Sequence, residues 1–189
     1  DVAEQVLADG CADMVSMARP FLADENWVKK AKENRADEIN TCIACNQACL
    51  DHTFSNKLSS CLVNPRACHE TELNYTPTTA KKKIAVVGAG PAGLSFASIA
   101  AERGHSVTLF DADKEIGGQF NMAKKIPGKE EFYETLRYFK KQLELHKVDV
   151  QLDKKVNADD LKGFDEVVIA TGISPRNLQF EGINHPKVL

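Results

Sequence analysis

The sharpest alternation of apolar and polar positions lies in the second half of the chain. Ile84-Ala85-Val86-Val87 is an unbroken apolar run, as in a strand buried on both faces, and Ser106-Val107-Thr108-Leu109-Phe110 predicts a second strand. Over residues 130–147 the period becomes helical. Phe132, Leu136, Phe139 and Leu143 recur at spacings of four, three and four and so share one face. Residues 148–152 and 167–170 predict two further strands. Strands alternating with helices predict an α/β fold with a mostly parallel, doubly wound sheet.

Ahead of this unit the pattern weakens. Residues 2–8 read as the end of a helix, Gly10 as a turn and 12–17 as a short strand. Arg19-Pro20-Phe21-Leu22-Ala23-Asp24 follows, then a polar helix from about Trp27 to Asn34. A strand leading through a loop into a short helix is how a (β/α)8 barrel builds a phosphate site late in its sequence, and a generic βα unit reads the same way. Residues 41–80 show neither period, hold five of the six cysteines and end in the turn-rich Asn74-Tyr75-Thr76-Pro77-Thr78-Thr79. So few apolar residues cannot build a core, so the stretch needs a staple. A metal centre would serve, because its binding energy becomes folding energy. Three units are therefore expected: 1–40, 41–80 and 81–189. The chain opens at Asp1 without an initiator methionine and stops at Leu189 before the fold begun at residue 82 closes. It reads as an internal piece of a larger enzyme.

Charge and composition narrow the picture further. A net charge of −3 gives no attraction to nucleic acid or to anionic lipid. No apolar run approaches the roughly 18 residues of a membrane span. Cysteines that accompany a nucleotide motif and no export signal point to ligation in a reducing cytosol rather than to disulfides.

Cys42, Cys45, Cys49 and Cys61 follow the pattern C-x2-C-x3-C-x11-C, with Asn64-Pro65 just beyond. Three thiolates within eight residues can hold one side of a cluster, and a fourth from beyond a loop completes the set. A 4Fe-4S cluster takes four cysteine thiolates, and zinc accepts the same four. Zinc sites usually pair their ligands as two separate knuckles, so the three-plus-one arrangement favours iron–sulfur without excluding zinc. Residues 42, 45 and 49 also share a helical face, but the segment is too polar for that face to meet a core. Cys11 and Cys68 fall outside the spacing and read as structural.

Gly88-Ala89-Gly90-Pro91-Ala92-Gly93 is G-x-G-x-x-G placed between a strand and a helix. Gly88 permits the tight turn, Gly90 lets the backbone approach a pyrophosphate, Ala92 lies in the helix's first turn, and Gly93 lets helix pack on strand. The helix N-terminus then faces the phosphates. Asp111, 18 residues past Gly93 at the end of the next strand, is placed to accept hydrogen bonds from ribose hydroxyls. FAD and NAD(H) share this motif.

Glu115-Ile116-Gly117-Gly118-Gln119-Phe120 and Ala170-Thr171-Gly172 resemble features of the two-dinucleotide flavoproteins of the disulfide-reductase type. In that fold FAD occupies the first unit, and a nicotinamide unit is inserted later. The resemblance places Gln119 and Lys129 near FAD and the backbone of Val156 near its adenine. Lys129 reads equally well as a solvated lysine at a helix start.

Cluster motif and flavin motif in this order, behind a barrel-like stretch, resemble the iron–sulfur flavoenzymes with an old-yellow-enzyme-type barrel. Cys42-Ile43-Ala44-Cys45-Asn46-Gln47-Ala48-Cys49, Cys61-Leu62-Val63-Asn64-Pro65 and Gly117-Gly118-Gln119 carry the likeness. Pro65-Arg66-Ala67-Cys68-His69-Glu70 and Ile126-Pro127-Gly128-Lys129-Glu130-Glu131-Phe132 look most like the family's dienoyl-CoA reductases. The resemblance implies that Ala18 and Arg19 hold an FMN phosphate, Arg19 as its charge partner. It implies an electron path from NADPH through FAD and a 4Fe-4S cluster to FMN and an unsaturated acyl-CoA. The family's catalytic tyrosine and histidine lie earlier in the barrel. None of His52, His69, His105, His146 and His185 matches them, so no catalytic residue is expected in this chain.

Overall fold

A computed structural model describes residues 2–174, 176 and 179–187. Four helices come first: α1 (Val2–Ala8), α2 (Arg19–Ala23), α3 (Trp27–Lys32) and α4 (Leu50–Phe54). The sheet-forming half follows as β1 (Lys83–Val87), α5 (Pro91–Glu102), β2 (Ser106–Phe110), α6 (Phe120–Ala123), α7 (Glu131–Leu145), β3 (Asp149–Gln151) and β4 (Glu166–Ile169).

The four strands pair in parallel in the order β3-β2-β1-β4. This is the doubly wound arrangement the periodicity predicts. β1 is central, and Ile84, Ala85 and Val86 are all buried, which explains its unbroken apolar run. α5 covers the sheet with small residues: Gly93, Ala97, Ser98, Ala100 and Ala101 are buried beside Leu94. α7 packs against α5 and adds Leu136 and Leu143, while Phe139 packs at the margin of the same core. Leu94, Leu109 and Val86 are fully enclosed at its centre. Burial of such side chains contributes about 1.5–3 kcal/mol each. On the opposite face of the sheet, Phe164 meets Phe110 edge-on at 6.0 Å.

The expected strand at 12–17 does not form. Residues 12–17 form no ladder, Asp13 lies in a bend, and Met14 is 81% exposed. A parallel strand exists only through a neighbour's N–H and C=O groups, and among the described residues no strand lies beside this one. Other differences are small. The helix expected to reach Asn34 ends at Lys32, with Asn34 left-handed at φ 57°. The last two strands occupy 149–151 and 166–169. Among the described residues no helix is long and apolar enough to cross a membrane.

Side-chain-to-backbone hydrogen bonds attach the first eighty residues to the sheet unit. Arg137 of α7 reaches the carbonyls of Asp37 and of Ile39, the latter at 2.8 Å, and the Thr41 hydroxyl at 3.3 Å. Lys141, one turn on, pairs with Asp37 at 2.6 Å. Buried Asn40 receives its place from both sides. Its N–H donates to Asp24 at 2.9 Å and its Nδ2 to the Val63 carbonyl at 2.7 Å.

Candidate functional site

The cysteine segment folds by local backbone geometry. Ala44 and Asn46 are left-handed at φ 54° and 59°, so the loop from Cys42 to Cys49 coils tightly. Such turns gather successive N–H groups into concavities that suit anions and iron–sulfur centres. The Ala44 N–H donates to Cys42 Sγ at 3.4 Å, and the Asp51 N–H to the Asn46 carbonyl at 3.0 Å. α4 then turns the chain back. His52 Nδ1 meets the Leu58 carbonyl at 2.9 Å, and Thr53 Oγ1 meets Ser59 Oγ at 2.8 Å. The Ser60 N–H donates to the Ala48 carbonyl at 2.7 Å, which sets Cys61 beside Cys49.

Cys42, Cys45, Cys49 and Cys61 consequently line one small cavity, together with Arg19, Leu22 and Asn46. A cubane takes one thiolate on each iron, and the four cysteines around this one cavity supply that donor set, which zinc accepts as well. Burial pushes the Cys61 thiol above its ordinary range, and the N–H groups of Val63 and Asn64 beside the sulfur pull it part of the way back. Cys11 and Cys68 are exposed and lie outside this cavity.

α2 touches both halves of the cysteine set. Arg19 Nη1 donates to Asn46 Oδ1 at 3.1 Å, and Asn64 Nδ2 donates to the Leu22 carbonyl at 2.9 Å. Ala18, at the N-cap of α2, is exposed and does not line the cavity. The side-chain link from Asn46 was not foreseen from the sequence. Its one signal is an asparagine between cysteines, a residue that tolerates left-handed backbone.

The second site lies at the C-terminal ends of the sheet strands. Gly88, Gly90, Ala92, Asp111, Gly118, Gln119 and Thr171 are among the residues lining a cleft of about 870 Å³. Three glycines explain its shape. A Cβ on Gly93 would sit 1.8 Å from the Gly88 carbonyl oxygen, so α5 can approach β1 only because residue 93 has no side chain. A Cβ on Gly90 would meet no protein atom within 4 Å, and glycine there leaves the cleft open beside the N-terminus of α5. Gly118, at φ 50°, faces Gly90 closely, and a Cβ on it would lie 3.1 Å from Gly90 Cα. The Gly117 N–H donates to the Ala89 carbonyl at 2.7 Å, which holds the two glycine loops together.

Asp111 ends β2 with its carboxylate turned back on the glycine loop. It accepts the N–H of Ala89 at 2.5 Å and that of Asp113 at 2.8 Å. A carboxylate has about four acceptor positions, so two backbone bonds leave capacity for a ribose hydroxyl. Of the residues expected around a dinucleotide, Gly88, Gly90, Ala92, Asp111 and Gln119 line the cleft, with Gly93 packed behind. Lys129 and Val156 are not among its lining residues, and the Lys129 ammonium lies 5.7 Å from the Phe132 ring. Of the cleft's other lining residues, Asp113 and Lys114 were not anticipated. No spacing rule marks them.

A parallel sheet with a glycine-rich turn at its C-terminal edge defines a class of dinucleotide-binding oxidoreductases. Residues 82–188 match the pyridine nucleotide-disulphide oxidoreductase family, and the chain belongs to it. The chain is 41% identical over 181 residues to a metal reductase of Desulforamulus reducens, covering 93% of this chain and 27% of that protein. It is 37% identical to an NADH oxidase of Thermoanaerobacter brockii, covering 96% and 29%. Among solved structures it is similar to a 2-naphthoyl-CoA reductase in complex with 2-naphthoyl-CoA. That match has 40% identity and a TM-score of 0.93 over 98% of this chain and 29% of the other. The histamine dehydrogenase of Rhizobium sp. 4-9 gives 31% identity and a TM-score of 0.85, over 93% and 27%. The chain thus spans less than a third of the length of these relatives.

Proposed function

We propose that this chain carries the FAD site and the 4Fe-4S site of an NADPH-dependent 2,4-dienoyl-CoA reductase of the iron–sulfur flavoenzyme type. The observation that carries the reading is the cavity formed by Cys42, Cys45, Cys49 and Cys61, joined by Arg137 to the unit that holds the glycine cleft. The likeness to a naphthoyl-CoA reductase supports an acyl-CoA as the electron acceptor. FAD held by the glycine cleft would supply acceptance of a hydride from NADPH, a cluster held by Cys42, Cys45, Cys49 and Cys61 would supply one-electron carriage, and FMN would supply hydride reduction of the conjugated thioester, completed by a proton.

The chain's own residues bind and orient. The N-terminus of α5 and the open backbone at Gly90 receive the FAD pyrophosphate. Asp111 accepts a ribose hydroxyl with the oxygen capacity its two backbone bonds leave. Gln119 faces the same cleft, whereas Lys129, placed near the FAD by the resemblance, and the backbone of Val156, placed near its adenine, lie outside the lining residues. The four cysteines hold the cluster, with the N–H groups around Cys42 and Cys61 directed at sulfur. Residues 1–40 form the edge of the FMN barrel, and Ala18 and Arg19 meet its phosphate. Thiols so arranged suit a reducing compartment such as the cytoplasm.

The similarity to an NADH oxidase and a metal reductase supports a second reading, in which the same relay serves another acceptor. Anaerobically prepared protein tests the shared part. FAD together with acid-labile sulfide and iron is the expected result. Zinc without sulfide would leave only a zinc-stabilised flavin module and overturn the relay. The intact enzyme's NADPH oxidation with a dienoyl-CoA, compared with oxygen, separates the two acceptors.

A further inference from the structure

The resemblance gives Arg19 one partner, an FMN phosphate, whereas the structure gives it another. Its Nη1 donates to Asn46 Oδ1 at 3.1 Å, inside the loop between Cys45 and Cys49. Arg19 also lines the cavity that the four cysteines share. Among the described lining residues it is the sole basic side chain, alongside Leu22, Ile43, Ala48 and Leu62. Asn46 is itself fixed, left-handed at φ 59° and with its carbonyl receiving the Asp51 N–H. The guanidinium is therefore tethered to a rigid part of the loop.

We infer that Arg19 is an electrostatic and positioning residue of the cysteine-bound cluster, setting how readily it is reduced. The inference rests on the cluster reading above and goes beyond it. Four thiolates make the site anionic, and each electron added makes it more so. A fixed cation at the cavity wall stabilises the reduced form over the oxidised one, so it raises the reduction potential. Arg19 is exposed, so solvent screens the effect and keeps it modest. Five N–H donors allow one guanidinium to hold Asn46 and still meet a phosphate. Arg19 then stands between two redox groups, lowering the barrier to passing an electron onto the cluster without touching the chemistry at either end.

The test is an EPR-monitored redox titration of the anaerobic holoenzyme, with iron and sulfide assayed in each variant. At the potential where the wild-type cluster is half reduced, Arg19→Met should lower the reduced-to-oxidised ratio by about three- to tenfold, tenfold being 59 mV for one electron. Arg19→Lys should restore most of that ratio, because it keeps the charge. Asn46→Gly preserves the left-handed backbone and the cation but removes the tether, and should shift the ratio the same way by a smaller factor. An unchanged ratio in Arg19→Met, with iron and sulfide intact, overturns the inference. So does an equal shift in Arg19→Lys, which would make the effect one of shape. If Arg19→Met loses its cluster, an unshifted Asn46→Gly overturns the inference in its place. Wild-type protein without sulfide sinks the cluster reading itself, a result distinct from a wild-type cluster whose potential ignores Arg19.

Discussion

The glycine cleft and the cysteine cavity are built by opposite means. The cleft rests on a sheet and two helices whose inner residues, from Ile84 to Leu143, form one apolar core. Its glycines are shaped by packing, Gly93 against the backbone of Gly88 and Gly118 against Gly90. The cysteine segment has almost no core of its own. Ala48 and Ala67 are its buried apolar residues among those described. What shapes it is a set of turns and side-chain-to-backbone hydrogen bonds, from Asn40, Asn64 and Arg137. One site is held by the hydrophobic effect, while the other would gain the stabilisation of whatever its thiols ligate.

That contrast is broken most severely at Gly93. A methyl group 1.8 Å from the Gly88 carbonyl oxygen meets backbone and cannot be relieved by a rotamer change. Gly93→Ala should therefore force α5 off β1 and cost about 3 kcal/mol or more, beyond ordinary overpacking. Calorimetry should show the sheet unit's transition lowered or lost, and an unchanged melting temperature would refute the packing described for the glycine turn.

Next in size is Cys49→Ser. It removes one of four soft ligands and leaves the core alone. Residues 41–80 should lose protection in hydrogen exchange while the amides of β1 and β2 keep theirs, and FAD should stay bound. NADPH-driven turnover of the intact enzyme should collapse. Full activity in this variant would rule out a relay through the cluster.

The two regions also differed in how legible they were in the sequence. β1, β2 and α7 could be read because burial on a sheet or helix imposes a period, and Ile84–Val87 or Leu136–Leu143 display it. The glycine turn was legible because each glycine answers a distinct steric demand. Residues 12–17 misled for the same reason that β1 did not. Their pattern is that of a strand, but a strand is a relation between segments, and among the described residues no strand lies beside them. The cysteine spacing pointed to the four thiols that line one cavity, yet not to the links that assemble it. Arg19 to Asn46 and Arg137 to Ile39 span 27 and 98 residues, and no local rule connects such positions.

A milder change sharpens the comparison within the cleft. Gly90 has ordinary backbone angles and open space where a side chain would project, unlike Gly93. Gly90→Ala should leave the melting temperature near that of the wild type. It should weaken FAD by about tenfold, or 1.4 kcal/mol, by intruding where the pyrophosphate approaches. Titration calorimetry and thermal melts together decide it. Equal affinity would mean that the phosphates lie elsewhere.

The smallest expected effect lies at the joint between the two regions. Arg137 belongs to α7 and so to the core, but its guanidinium serves the carbonyls of Asp37 and Ile39 and the hydroxyl of Thr41, just ahead of Cys42. Arg137→Ala removes these charge-assisted bonds, while Leu136 and Leu143 continue to anchor the helix. The carbonyls left behind are close enough to solvent to be rehydrated, so the net loss should be about 0.5–1 kcal/mol and confined to the joint. Hydrogen exchange at residues 36–41 should accelerate by about threefold, with β1 and α5 unchanged. If the sheet amides accelerate as well, the two regions fold as one cooperative unit, and the contrast between a packed cleft and a ligand-stapled cavity fails.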